Sequence, residues 1–197
     1  MSIDQFWHAF LPLFVALDGV GLLPLYWGLA RRLSVPQRRQ AVAEAVLTAF
    51  LVALGFLLVS RFVLALMGLA LSDVMMAGGA ILIVLCLREL LLPGPAQAGD
   101  HPSPGVVPLG VPLLCGPAVM ATLLLVRDQH GWGLALAALI LNLALVWAIL
   151  RGAQWLMDRL GPYGAEVVSK ISNLILTAYG VMLIRQGVAA LVARAAG

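Results

Sequence analysis

The chain reads as an all-α membrane protein, with six transmembrane helices in two inverted three-helix repeats and with the first and fourth helices broken. Three observations predict this. Of 197 residues, 62% are hydrophobic and only 11% charged, with a mean hydropathy of +1.03, far from the half-apolar, quarter-charged balance of soluble domains. The apolar runs fill nearly the whole length in blocks of about 20 residues, the number an α-helix needs to cross a bilayer. Gly and Pro interrupt the first and fourth blocks at matching places, and paired interruptions of this kind mark inverted repeats.

In chain order, crossings are expected near Phe6 to Ala30, Ala41 to Ser60, Ser72 to Leu92, Val106 to Val126, Gly133 to Leu150 and Ile171 to Val192. The first follows a start that holds Asp4, no basic residue and no small-residue cleavage site, so it is expected to stay as a helix and not to leave as a signal peptide. The second ends at Arg61, and the apolar residues from there to Leu71 are expected as a short interfacial or re-entrant piece. Between the third and fourth, Pro93 to Gly105 has the Pro, Gly and Ala content of a flexible linker. The whole is one transmembrane domain over residues 1–197, with repeat one over 6–92, the linker over 93–105 and repeat two over 106–192. No loop is long enough to fold by itself, so the function has to be carried out in or across the lipid.

Charge sets the orientation. Loops one and five carry seven basic residues (Arg31, Arg32, Arg38, Arg39, Arg151, Arg159 and Lys170), against Arg61, Arg127 and Arg194 on the other side. The positive-inside bias then puts the odd loops in the cytoplasm and both termini outside. The net charge of +3 is scattered in ones and twos, which fits loop orientation and not a nucleic-acid partner. Trp7, Trp27, Trp132, Trp147 and Trp155 fall mostly near helix ends, where indoles anchor at the headgroup level.

The repeat rests on two registers. Asp18-Gly19 aligns with Gly116-Pro117 at a separation of 98, and Gly78-Gly79 with Ser172-Asn173 at a separation of 94. Each half holds an odd number of crossings, so the second copy enters the membrane upside down.

At the breaks, Gly19, Gly21, Pro24, Pro108, Pro112, Gly116 and Pro117 relax the backbone or remove donors, and half-helix ends offer unpaired N–H and C=O groups to a ligand. An amino acid, with one carboxylate and one ammonium, suits two such opposed ends. Asp18 is a carboxylate among helix breakers in lipid surroundings. It could take a proton, pair with a substrate ammonium or help to hold sodium, or it could cap a second half-helix, a role compatible with the others. Thr122, Ser172 and Asn173 could face the same cavity, although small hydroxyls and amides also join membrane helices by packing. Cys86 and Cys115 lack metal-ligand spacing, His8, His101 and His130 lie far apart, and phosphate-loop, dinucleotide and nucleophile-elbow patterns are absent. The residues therefore point to no metal, no cofactor and no catalytic pair, and so to no enzyme.

These residues carry a resemblance to the MarC family of integral bacterial inner-membrane proteins, from Phe10 to Gly187. Its strongest elements are Gly21-Leu22-Leu23-Pro24-Leu25-Tyr26, Gly78-Gly79-Ala80-Ile81-Leu82 and the stretch from Val107 to Pro117. The family's usual Asn-Pro-x-Gly is here Asp18-Gly19-Val20-Gly21, and its usual Gly-Pro-Gly is Gly116-Pro117-Ala118. The resemblance implies a six-helix inverted-repeat protein of the inner membrane, related to amino-acid exporters. The expected function is secondary transport of small neutral amino acids, of the glycine or alanine class, or of similar small polar metabolites, coupled to protons or sodium through Asp18. The competing expectation is a non-transporting membrane scaffold or partner-binding protein.

Overall fold

The computed structural model describes residues 3–23, 26, 30, 33–91 and 114–195, and the described residues that take regular secondary structure are helical. The long elements are α1 (Ile3–Leu17), α2 (Val35–Met67), α3 (Leu71–Leu91), α4 (Pro117–Arg151) and α5 (Ala153–Ala195). Four segments among the described residues are long and apolar enough to cross a membrane: Val35–Ser60, Leu71–Leu91, Pro117–Arg151 and Tyr163–Arg194. Large apolar side chains on the outside, such as Phe62, Leu66, Val84 and Leu174, leave a surface suited to lipid and costly in water. Pro24, Pro108, Pro112 and the linker 93–105 lie outside the described residues.

The ends of α2 differ from the expectation for physical reasons. It starts six residues early, at Val35, because Gln37 accepts the Ser34 N–H at 2.9 Å and Pro36 sits in the first turn, where a missing donor costs nothing. It then runs past Arg61 to Met67 without an interfacial break. Gly68, left-handed at φ 67°, ends it, and the Leu69 N–H returns to the Leu64 carbonyl at 2.9 Å, a glycine C-cap.

α4 contains a reversal. Gly131 has φ 82° and ψ 174° inside the apparent helix. The half before it runs from Pro117, which lies against Gly78 of α3, to Arg127, which donates to the Leu57 carbonyl of α2 at 2.8 Å. The half after it returns along α2 until Gln154, just beyond its end, accepts from Arg38 at 3.3 Å. At about 1.5 Å rise per residue, 35 residues in one rod would be far longer than a bilayer core. Gly161, φ 65°, makes a second such break in α5, so residues 153–160, expected as loop, are also helical.

α3 and α5 pack antiparallel through glycine. Gly79 sits against the Gly180 carbonyl and Gly187 against the Ser72 carbonyl, while Ser169 donates to Glu89 at 3.3 Å further along. Small residues let backbones approach closely where lipid removes the ordinary hydrophobic drive for helix association. The second half of α4 lies on α1, where the Asn142 amide donates to the Phe10 carbonyl at 3.1 Å. The buried core is dominated by Leu, Ala and Val from all five elements, with Leu13, Leu57, Leu123, Leu139 and Leu183 fully enclosed.

Candidate functional site

The first helix stops where its sequence predicts a break. α1 stops at Leu17, and Asp18 turns into the left-handed region at φ 41°, which Asp and Asn tolerate better than other side chains. Its N–H still donates to the Phe14 and Val15 carbonyls at 3.2 Å, and its own carbonyl accepts the Leu22 N–H at 3.0 Å. The Gly21 N–H donates to Asp18 Oδ1 at 3.1 Å. A side chain that accepts from the third residue on, beside a carbonyl that accepts from the fourth, is the arrangement of a helix N-cap. Asp18 thus closes one half-helix and opens the next. Gly21 has to be small, because a Cβ there would collide with the Asp18 carboxylate.

Asp18 is only partly covered. It lines a cavity of about 210 Å³ with Phe14, Val15, Gly19, Val20, Ser172, Ile175 and Leu176, and the Ser172 hydroxyl stands in the same lining as its carboxylate. The apolar members of this lining were not foreseen, since Phe14 and Ile175 look like any other lipid-segment residue. Gly19, buried on the other side, packs against Val146 of α4, whose Cγ2 would lie 2.8 Å from a Cβ placed there.

The helix start at Gly116 has the same grammar and a different chemistry. Gly116 is an extended N-cap (φ −88°, ψ 176°) and Pro117 occupies the first helical position. The Gly116 carbonyl accepts the Met120 N–H at 3.1 Å. The Pro117 carbonyl oxygen and the Ala121 Cβ crowd Gly78 of α3, at 3.1 and 2.8 Å from where its Cβ would stand. Ala118 is buried. Thr122 is fully buried, donating to the Ala118 carbonyl at 2.7 Å and lying 2.9 Å from the Tyr179 hydroxyl. Asn173 is buried beside Ser172, and its carbonyl accepts from Thr177 at 2.7 Å.

Of the residues singled out from sequence, the structure brings Asp18, Gly19 and Ser172 together around one cavity, with Gly21 holding the carboxylate from behind. Gly116, Pro117, Ala118, Thr122 and Asn173 are not part of that lining; Pro117 lies against Gly78 of α3 and Thr122 against Tyr179 of α5. Arg127, expected as a loop charge, is buried, bonded to Leu57 and stacked 4.3 Å over the Trp132 ring. Among the described residues no group of three His, Cys, Asp or Glu side chains could hold a metal ion, and Cys86 and Cys115 are free and buried.

Helices throughout the described residues, four of them long and apolar enough to cross a membrane, with a carboxylate where the first helix stops, define the protein as a multi-pass integral membrane protein. Residues 3–192 match the family described as MarC family integral membrane protein, and the chain belongs to that family. It is 27% identical over 181 residues to the UPF0056 inner membrane protein YhgN of Escherichia coli, covering 89% of this chain and 92% of that one. It is 26% identical over 202 residues to a UPF0056 membrane protein of Methanocaldococcus jannaschii, with 95% and 98% covered, and 27% identical over 182 residues to one of Pyrococcus abyssi, with 89% and 90% covered. No solved structure matches.

Proposed function

We propose that the protein is a secondary transporter of small neutral amino acids or similar small polar metabolites, and that the interruption at Asp18 is its binding and coupling site. The observation that carries this reading is the position of Asp18. A carboxylate in a membrane segment that serves only as a cap could be sealed by packing, yet this one faces a cavity together with a second polar side chain, Ser172. At about 30 Å³ per water, 210 Å³ is the space of about seven waters, which suits a glycine- or alanine-sized zwitterion with some hydration. An ionisable group at such depth is by default part of a substrate or ion path.

In this reading the chain crosses six times, the reversal at Gly131 separating the fourth crossing from the fifth and Gly161 lying before the sixth. The two halves are inverted repeats. The register that pairs Asp18 with Gly116 and Gly78 with Ser172 also relates two contacts: Asp18 beside Ser172 and Pro117 beside Gly78. Each broken helix therefore rests on the third helix of the opposite half, as an exchange across a pseudo-two-fold axis requires. The odd loops face the cytoplasm, both termini are periplasmic, and the membrane is the inner one, as in the name of the Escherichia coli relative. The substrate ammonium pairs with the Asp18 carboxylate, and the cycle is driven by a proton or sodium ion that competes for the same oxygens.

Proteoliposomes test this directly. Labelled glycine or alanine is expected to accumulate under an imposed proton or sodium gradient, and Asp18→Asn is expected to abolish the effect of the gradient. Uptake indifferent to that substitution removes Asp18 from coupling, and uptake no greater than in protein-free liposomes removes transport of these substrates.

A further inference from the structure

A second cavity, of about 230 Å³, lies at the other end of the bundle, where the first turns of α2 meet the junction of α4 and α5. Its lining brings Arg38 and Arg39 together with Arg151, and includes Gln154 and the apolar Val42 and Leu150. Three guanidinium groups from two separate stretches of chain converge on it, and among the described residues no acidic side chain lines it. The nearest carboxylate along α2, Glu44, is turned to Gln40 at 2.8 Å. Like charges gathered in one concavity repel one another unless an anion joins them.

The basic groups are also positioned. The Arg38 Nε–H donates to the Leu33 carbonyl at 2.9 Å and its Nη1 to Gln154 Oε1 at 3.3 Å, fixing that guanidinium against the wall. Arg151 lies 4.8 Å over the Trp147 ring. A Trp at the end of a crossing marks the headgroup level, so the cavity sits where lipid phosphates lie.

We infer that this cavity binds the phosphate of an anionic phospholipid headgroup, with Arg39 and Arg151 as its charged contacts and Arg38 as part of the frame. Planar guanidinium forks match phosphate oxygens two at a time, and basic pockets between membrane helices are the known form of such sites. A free phosphate would satisfy the arginines equally, but at the level that Trp147 marks the phosphates of the headgroups are already at hand in the bilayer. The inference is independent of the transport reading, because it concerns a different cavity and a different ligand.

The test is thermal unfolding of the full-length protein in detergent micelles, doped in turn with dioleoylphosphatidylglycerol, dioleoylphosphatidylcholine or sodium phosphate at equal concentration. A ligand that binds only the folded state raises its midpoint. Phosphatidylglycerol is expected to raise the midpoint while the other two leave it unchanged. Arg39→Gln/Arg151→Gln is expected to weaken the apparent affinity at least about tenfold, the scale of two lost charge-assisted hydrogen bonds. Arg159→Gln/Lys170→Gln, which removes the same charge outside the cavity, is expected to keep the response. Arg39→Lys/Arg151→Lys retains the charge without the fork and is expected to fall between wild type and the glutamine pair. Equal losses in the two glutamine pairs, or no loss in either, would overturn the site. An equal shift from sodium phosphate would overturn the lipid as its ligand.

Discussion

The capped turns at Asp18 and at Gly116 share a backbone plan and differ in what they do with it. At the first, a carboxylate caps the new half-helix and faces a cavity beside Ser172. At the second, a glycine caps and a proline starts the half-helix, Gly78 receives the Pro117 carbonyl in close contact, and Thr122 turns its hydroxyl to Ala118 and Tyr179. Freed backbone and polar groups at membrane depth have to be satisfied inside the protein or by a water-filled cavity. At Gly116 these groups pack inside the protein, whereas at Asp18 the carboxylate is held by the Gly21 N–H and also lines a cavity. The two positions are thus not equivalent: one sets a carboxylate in a cavity wall, and the other is a close-packed joint.

Substitutions sharpen that contrast, and the largest effect on stability is expected at the joint. Gly78→Val places branched carbon where Ala121 and Pro117 already stand 2.8 and 3.1 Å from a Cβ position, and overpacking of this kind costs about 1–3 kcal/mol. Thermal or denaturant unfolding in detergent should register the loss, and an unchanged midpoint would mean that the joint is loose. Gly21→Ala comes next. Its methyl group would displace the Asp18 carboxylate, removing a cap worth about 1 kcal/mol and, on the proposed function, lowering gradient-driven uptake to the level of Asp18→Asn. Smallest is Asp18→Asn itself. The amide oxygen still accepts the Gly21 N–H, and Asn caps as well as Asp and tolerates a left-handed backbone, so stability should move by less than about 0.5 kcal/mol. Function is then expected to separate from stability at the first break and to follow it at the second.

Much of the fold was legible because lipid simplifies the reading. Apolar runs of crossing length, the break at Asp18-Gly19-Val20-Gly21 and the start at Gly116-Pro117 all carry local signals, and Asp18 stood out as a charge in the wrong solvent. The earlier start of α2 was also written, in Ser34 and Gln37 three residues apart, a capping signature. The reversal at Gly131 was placed as a loop between crossings, but its tightness was not readable: a single glycine does the work of a connection. Nor could sequence distinguish a buried Arg127, whose partners Leu57 and Trp132 are set by tertiary packing, from an exposed loop arginine. The division of labour between the breaks was hidden for the same reason. Thr122 and Ser172 are alike as isolated small hydroxyls, and only the neighbours supplied by α5 and α1 make one a packing bond and the other a cavity wall.

The contrast between a cavity wall at Ser172 and a close-packed joint at Thr122 is tested most directly by cysteine accessibility. In a Cys86→Ala/Cys115→Ala background, Ser172→Cys and Thr122→Cys are treated in membranes with a small hydrophilic thiol reagent, with and without glycine. Ser172→Cys should be modified, and more slowly when glycine is present, whereas Thr122→Cys should stay unreacted under the same conditions. Equal protection of both positions, or ready modification of Thr122→Cys, would contradict the account.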